Sequence, residues 1–130
     1  MSSFIVNMKV FNEILGTFFE YLESEFPDFK SDIILTRAGV ELVKRNNPRL
    51  VVERFINMVD PFRKQIARCD EQFFLNFNLD PNHNGLGDEN TSLCIKVKNI
   101  WLCPTTTDTQ KAHIWLYFQK LIKISDKIKG

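Results

Sequence analysis

The chain has 130 residues, with 17 Lys and Arg against 16 Asp and Glu, a net charge of +1, and 44% hydrophobic residues. That length suits one domain, 1–130, with a core large enough to fold without metal or disulfide staples, and leaves little room for a second. Nearly balanced charge excludes a disordered polyelectrolyte and argues against a surface built wholly for nucleic acid.

Residues 1–9 hold no basic leader followed by an apolar core and a cleavage site, so no secretory signal is expected. No run approaches the roughly 18 to 20 apolar residues of a membrane span. Ser2 in place of Gly excludes myristoylation, and Lys129-Gly130 is no prenylation signal. Cys69, Cys94 and Cys103 are odd in number and lack C-x-x-C spacing, which argues against a disulfide scaffold or a zinc site. An intracellular protein is expected, with its thiols serving mainly as small buried apolar groups. Phe, Ile, Lys and Asn are abundant and all have A/T-rich codons, so base composition and a special aromatic surface are both open readings of the Phe content.

Phe4, Met8, Phe11, Leu15, Phe18 and Leu22 recur in steps of four and three. They predict a first helix whose stripe is broadened by Ile14 and Phe19 and which ends at Phe26-Pro27-Asp28. Residues 28–44 carry Phe29, Ile33, Leu35, Val40, Leu42 and Val43 and predict a second helix, bent or broken near Thr36 to Gly39. Asn46-Asn47-Pro48 supplies an Asn N-cap and a Pro at the first helical position of a third helix. Its buried face is Val52, Phe55 or Ile56, and Val59. Asp60-Pro61 repeats the punctuation before Phe62, Ile66 and Cys69, and Asp70-Glu71 could start a turn carrying Phe73 and Phe74 inward.

Residues 76–90 turn to Asn, Asp, Gly and Pro and predict the longest loop. In 91–103, Cys94, Val97 and Trp101 suit a helix, whereas Ile95, Lys96, Val97 and Lys98 alternate as a strand does; context favours the helix. Pro104 and the following threonines form a linker, with Asp108 or a neighbouring Thr capping a last helix that runs to about Lys127. Ile114, Tyr117, Leu121, Ile124 and Ile128 form its stripe, widened by Trp115, Phe118 and Ile122. The acidic start of the chain and the lysines of its last helix would attract if the terminal helices are neighbours.

Signals for chemistry are sparse. Residues 80–91 place Asp80, Asn82, Asn84, Gly85 and Asp88 at or near positions a calcium loop uses. Thr91 stands where a bidentate carboxylate is needed, however, and a turn-rich loop of self-capping Asx side chains explains the run as well. His83 and His113 are the only histidines, and neither lies at catalytic-motif spacing from a Cys or Ser. A Cys–His pair could meet only in the fold. Gly85-Leu86-Gly87 lacks the Lys-Ser/Thr of a phosphate-binding loop. Lys120, Lys123 and Lys127 share one helix face, which a solvated amphipathic helix also explains. The denser basic set Lys44, Arg45, Arg49, Arg54, Arg63, Lys64 and Arg68 is diluted by Glu41, Glu53 and Asp60, and no Arg/aromatic pattern in it marks a single-strand platform.

The run Asn47-Pro48-Arg49, Glu53-Arg54-Phe55, Val59-Asp60-Pro61-Phe62, Gln65-Ile66 and Asp70-Glu71-Gln72-Phe73-Phe74-Leu75 resembles short proteins of large nucleocytoplasmic DNA viruses that infect algae and protists. The similarity covers residues 45–76 and carries no catalytic residue. It implies a small helical viral factor, packaged in the particle or acting on a host protein.

The expected architecture is all-α, a single compact bundle of about five or six helices around a Phe- and Ile-rich core with one longer Asn/Asp/Gly-rich loop. No catalytic, cofactor-binding or metal residue is assigned. The expected role is a non-enzymatic module, cytoplasmic or virion-associated, that binds a protein partner or itself through an exposed apolar face, with no membrane. A nucleic-acid-associated factor using the basic helices, and calcium binding at 80–91, are the alternatives.

Overall fold

The computed structural model describes residues 3–71 and 89–129, and those residues form an all-α fold with no strand among them. Helix α1 spans Ser3–Glu25, and Pro27–Phe29 makes a 3-10 turn into α2, Lys30–Asn46. Helix α3 spans Pro48–Val59, a second 3-10 turn covers Asp60–Phe62, and α4 is the short Arg63–Ala67. Helices α5, Glu89–Leu102, and α6, Asp108–Lys129, complete the described chain.

The helix ends follow from local chemistry. Asn47 ends one helix and starts the next: its N–H donates to the Val43 carbonyl at 2.7 Å, and its side-chain oxygen accepts from the Leu50 N–H at 3.3 Å. Pro48 at the first helical position needs no donor there, as the sequence anticipates. The cap of α6 is Thr107. Its hydroxyl accepts from the Gln110 N–H at 3.1 Å, while the Gln110 side chain accepts from the Thr107 N–H at 2.9 Å, a reciprocal capping box. Just upstream, the Thr106 hydroxyl donates to the Ile100 carbonyl at 2.6 Å and closes the end of α5. After α4 the chain turns at Cys69, whose φ of 54° is the left-handed conformation that commonly ends helices.

Helices α1 and α6 pack against each other most extensively, and α2 sits against α1, α3 and α5. The core is built from Phe11, Leu15, Phe18, Phe19 and Leu22 of α1 and from Ile114, Trp115, Phe118, Leu121 and Ile124 of α6. Ile33 and Val40 of α2, Val51, Val52, Phe55, Ile56 and Val59 of α3, Ile66 of α4, and Val97, Ile100 and Trp101 of α5 fill the space between them. Both Phe55 and Ile56 are buried, so the third helix does not choose between them.

Several expectations are corrected. Helix α2 runs unbroken through Thr36 to Gly39, because Ile33 and Val40, on either side of the glycine, are both buried and outweigh its helix cost of about 1 kcal/mol. Leu35 and Leu42 are not core residues: they point outward. The helix favoured for 91–103 is present; only its start differs, since it begins earlier, at Glu89. The last helix continues to Lys129. Cys69 is exposed and Cys103 half-buried, so neither is a packed core thiol. The expected inward turn of Phe73 and Phe74 lies outside the described residues, as do residues 76–88 of the loop.

Candidate interaction face

Helix α2 carries two stripes. Ile33, Thr36 and Val40 face the core, with Phe29 and Val43 packed at its margin. The opposite side bears Leu35, 71% exposed, and Leu42, 61% exposed, with the exposed Ala38 between them. Ile34, 44% exposed, widens this strip. Spacing of three and four residues puts Leu35, Ala38 and Leu42 in line along the helix. Large apolar side chains held in line on a rigid helix, turned to solvent, form a surface suited to docking.

The helix is fixed from its other side. The Arg37 guanidinium donates to Glu23 at 2.7 Å and lies 3.7 Å from Glu20, which clamps α2 to α1. Asp32 meets Lys96 of α5 at 3.8 Å. The strip is therefore displayed by an element anchored to two neighbours, and its geometry is set before any partner arrives.

The sequence's other candidates disperse. In the basic set, Lys44 sits 3.8 Å from Glu41, Arg49 bonds Glu53 at 2.8 Å, and Arg63 reaches Asp60 at 2.7 Å and Asp126 at 2.6 Å. Arg49 also lies over the Phe4 ring, 5.2 Å from its centroid. These three of the seven cations are already held by carboxylates and offer little net charge to a phosphate backbone. On α6, Lys120, Lys123 and Lys127 are exposed to solvent. The expected attraction between α1 acids and α6 lysines is replaced: Glu20 and Glu23 turn to Arg37, because the α1–α6 seam is aromatic.

His113 and Cys69 line one open depression of about 480 Å³ together with Trp101, Lys111, Trp115 and Leu116. They do not form a nucleophile–base pair. The His113 Nδ1 contacts the Tyr21 hydroxyl at 3.3 Å, and the Cys69 sulfur accepts from the Gln119 amide at 3.4 Å. The Cys103 sulfur lies 3.2 Å from the Thr105 hydroxyl, a hydrogen bond that lowers the thiol's pKa. His83, residues 80–88 of the calcium-loop reading and the Gly85-Leu86-Gly87 turn lie outside the described residues, while Glu89, Asn90 and Thr91 open α5. Among the described residues no group of three or more His, Cys, Asp or Glu side chains could hold a metal ion. No helix among them is long and apolar enough to cross a membrane.

Sequence reasoning missed two features that the geometry brings out. In the sequence Leu35 and Leu42 stand beside Ile33 and Val40 with no face assigned to them; the signal that separates them is a second three-and-four spacing offset from the first. Arg63, counted only as one of a basic run, is a bridge between the 3-10 turn before α4 and helix α6. Protein-family models, curated proteins and solved structures provide no match to this chain.

Proposed function

We propose that the protein is a non-enzymatic interaction module that docks a protein partner through the outer face of α2. The observation that carries this is the exposure of Leu35 and Leu42 in line on one anchored helix. Burying two leucines of this exposure on association supplies roughly 2 to 4 kcal/mol before the costs of binding, enough to anchor a contact. The pairing of Lys44, Arg49 and Arg63 with carboxylates supports a protein partner over nucleic acid. An intracellular setting belongs to the same proposal and is supported by the free thiols at Cys69 and Cys103; the viral context rests on the resemblance of residues 45–76 alone.

The test is affinity capture with the parent chain and with the double variant Leu35→Lys, Leu42→Lys. Both positions are exposed, so far-ultraviolet circular dichroism should be unchanged. A bound protein that the parent retains and the variant loses is the expected result. The same proteins retained by both chains would remove α2 as the docking face.

A further inference from the structure

The outer face of α2 is complementary to itself. Asp28, Ser31, Leu35, Ala38, Leu42 and Arg45 follow one another in steps of three, four, three, four and three, and all six are exposed. From Ser31 to Arg45 this is the spacing of a coiled-coil seam, in which successive positions mesh with a facing helix; Asp28 precedes the seam in the 3-10 turn, where it also borders Thr105 and Gln110. Laid against an antiparallel copy of itself, the seam falls into layers. Leu35 stands opposite the small Ala38, Leu42 opposite the small Ser31, and Arg45 opposite Asp28 in the turn that leads into the helix. Every layer occurs twice about the two-fold axis. Each large side chain meets a small one and each end closes on an opposite charge, while the two helix dipoles run in opposing directions. Asp28 and Arg45 have no ion-pair partner among the described residues. The charged neighbours off the seam are engaged elsewhere, Asp32 with Lys96 and Lys44 with Glu41.

We infer that the partner of this face is a second copy of the same chain, docked antiparallel along α2. The inference rests on the docking role proposed above and names its occupant. A parallel pairing would stack Leu35 on Leu35 and bring Asp28 against Asp28 and Arg45 against Arg45, so the charges select the antiparallel arrangement. One helix face per subunit gives a small interface, so the dimer is reversible and its population rises with protein concentration.

Sedimentation equilibrium of the full chain across concentrations up to several hundred micromolar, a range matched to a weak contact, tests this directly. The parent should show a monomer–dimer equilibrium. Arg45→Asp sets two carboxylates against each other at both ends of the seam, and Asp28→Arg does the same with two cations. Each should weaken dimerisation about tenfold, with the effect shrinking at high salt. The double variant Asp28→Arg, Arg45→Asp restores opposite charges and should recover the parent's association. Leu35→Glu should leave the protein monomeric with its circular dichroism unchanged. A parent that stays monomeric over the whole range, a dimer indifferent to the single changes, or a double variant no better than the singles would each overturn the inference. If the parent is monomeric yet captures another protein in a way that Leu35→Lys, Leu42→Lys abolishes, self-pairing falls while the docking role stands. If that variant changes neither association nor capture, both fall.

Discussion

Tyr21 shows how a single side chain records its surroundings. It lies on α1 where α6 crosses, with the Tyr117 ring 5.5 Å away, the His113 ring 5.5 Å away and the Phe26 ring at 6.3 Å. Burial first, then the charge of Glu25 and the neighbouring Tyr117, push its phenol up from 10.0 to about 12. The folded chain therefore holds a proton that the unfolded chain releases. Stability from this group is fully present below about pH 10 and is lost as pH rises through about 12. In a Tyr117→Phe variant, phenolate absorbance should show Tyr21 still ionising above the ordinary 10.0, held up by burial and Glu25 but short of about 12 because the Tyr117 contribution is gone, in step with the onset of alkaline unfolding. Ionisation near pH 10 in the folded state would mean that the ring is more solvated than its position on the α1–α6 seam requires.

At the scale of elements, α4 is the instructive case. Five residues are too few for a helix to persist alone, since nucleation costs more than so short a ladder returns. It is held from outside. Ile66 is buried, the Gln119 amide of α6 donates to the Ile66 carbonyl at 3.1 Å, and Arg63 spans from Asp60 to Asp126. Those two carboxylates raise the guanidinium pKa, so its charge is constant at every pH the fold survives. Arg63→Met should cost about 1 kcal/mol, the discounted worth of partly exposed ion pairs. The amides of α4 should exchange with deuterium faster than those of α1 and α6. Unchanged exchange in α4 would show that Ile66 alone holds the element. None of this is legible in the sequence, because Arg63 and Asp126 are far apart in the chain and only the fold brings them together. By contrast, α1 and α6 are legible from end to end: their apolar periodicity is long and their caps are local. Helix α2 falls between the two. Its existence follows from Ile33 and Val40, but a helix with apolar residues on both sides does not say which side is covered.

For the whole molecule, the packing centre is the aromatic seam between α1 and α6. Phe18 stacks on Tyr117 with ring centroids 4.9 Å apart and meets Phe118 edge to face at 5.7 Å, while Phe11 crosses to Phe55 of α3 at 5.3 Å. Such pairs add about 0.5–1.5 kcal/mol each beyond the area they bury. The stripe positions that the sequence marks on α1 and α6 are the ones that converge here, so the core of these two helices is readable from periodicity alone. The outer leucines of α2 are not, because periodicity reports a line of apolar residues and is silent on what lies across from it. That distinction can be measured as stability. Phe18→Ala removes a fully buried ring with two aromatic partners and should cost about 3–5 kcal/mol, through both lost transfer energy and the cavity left behind. Leu42→Ala removes an exposed side chain from the monomer and should stay within about 0.5 kcal/mol. Urea unfolding at low protein concentration, where any dimer is dissociated, reads both from the shift in midpoint at unchanged slope. Comparable losses at the two positions would mean that Leu42 is already covered within one chain, and with it the surface on which docking depends.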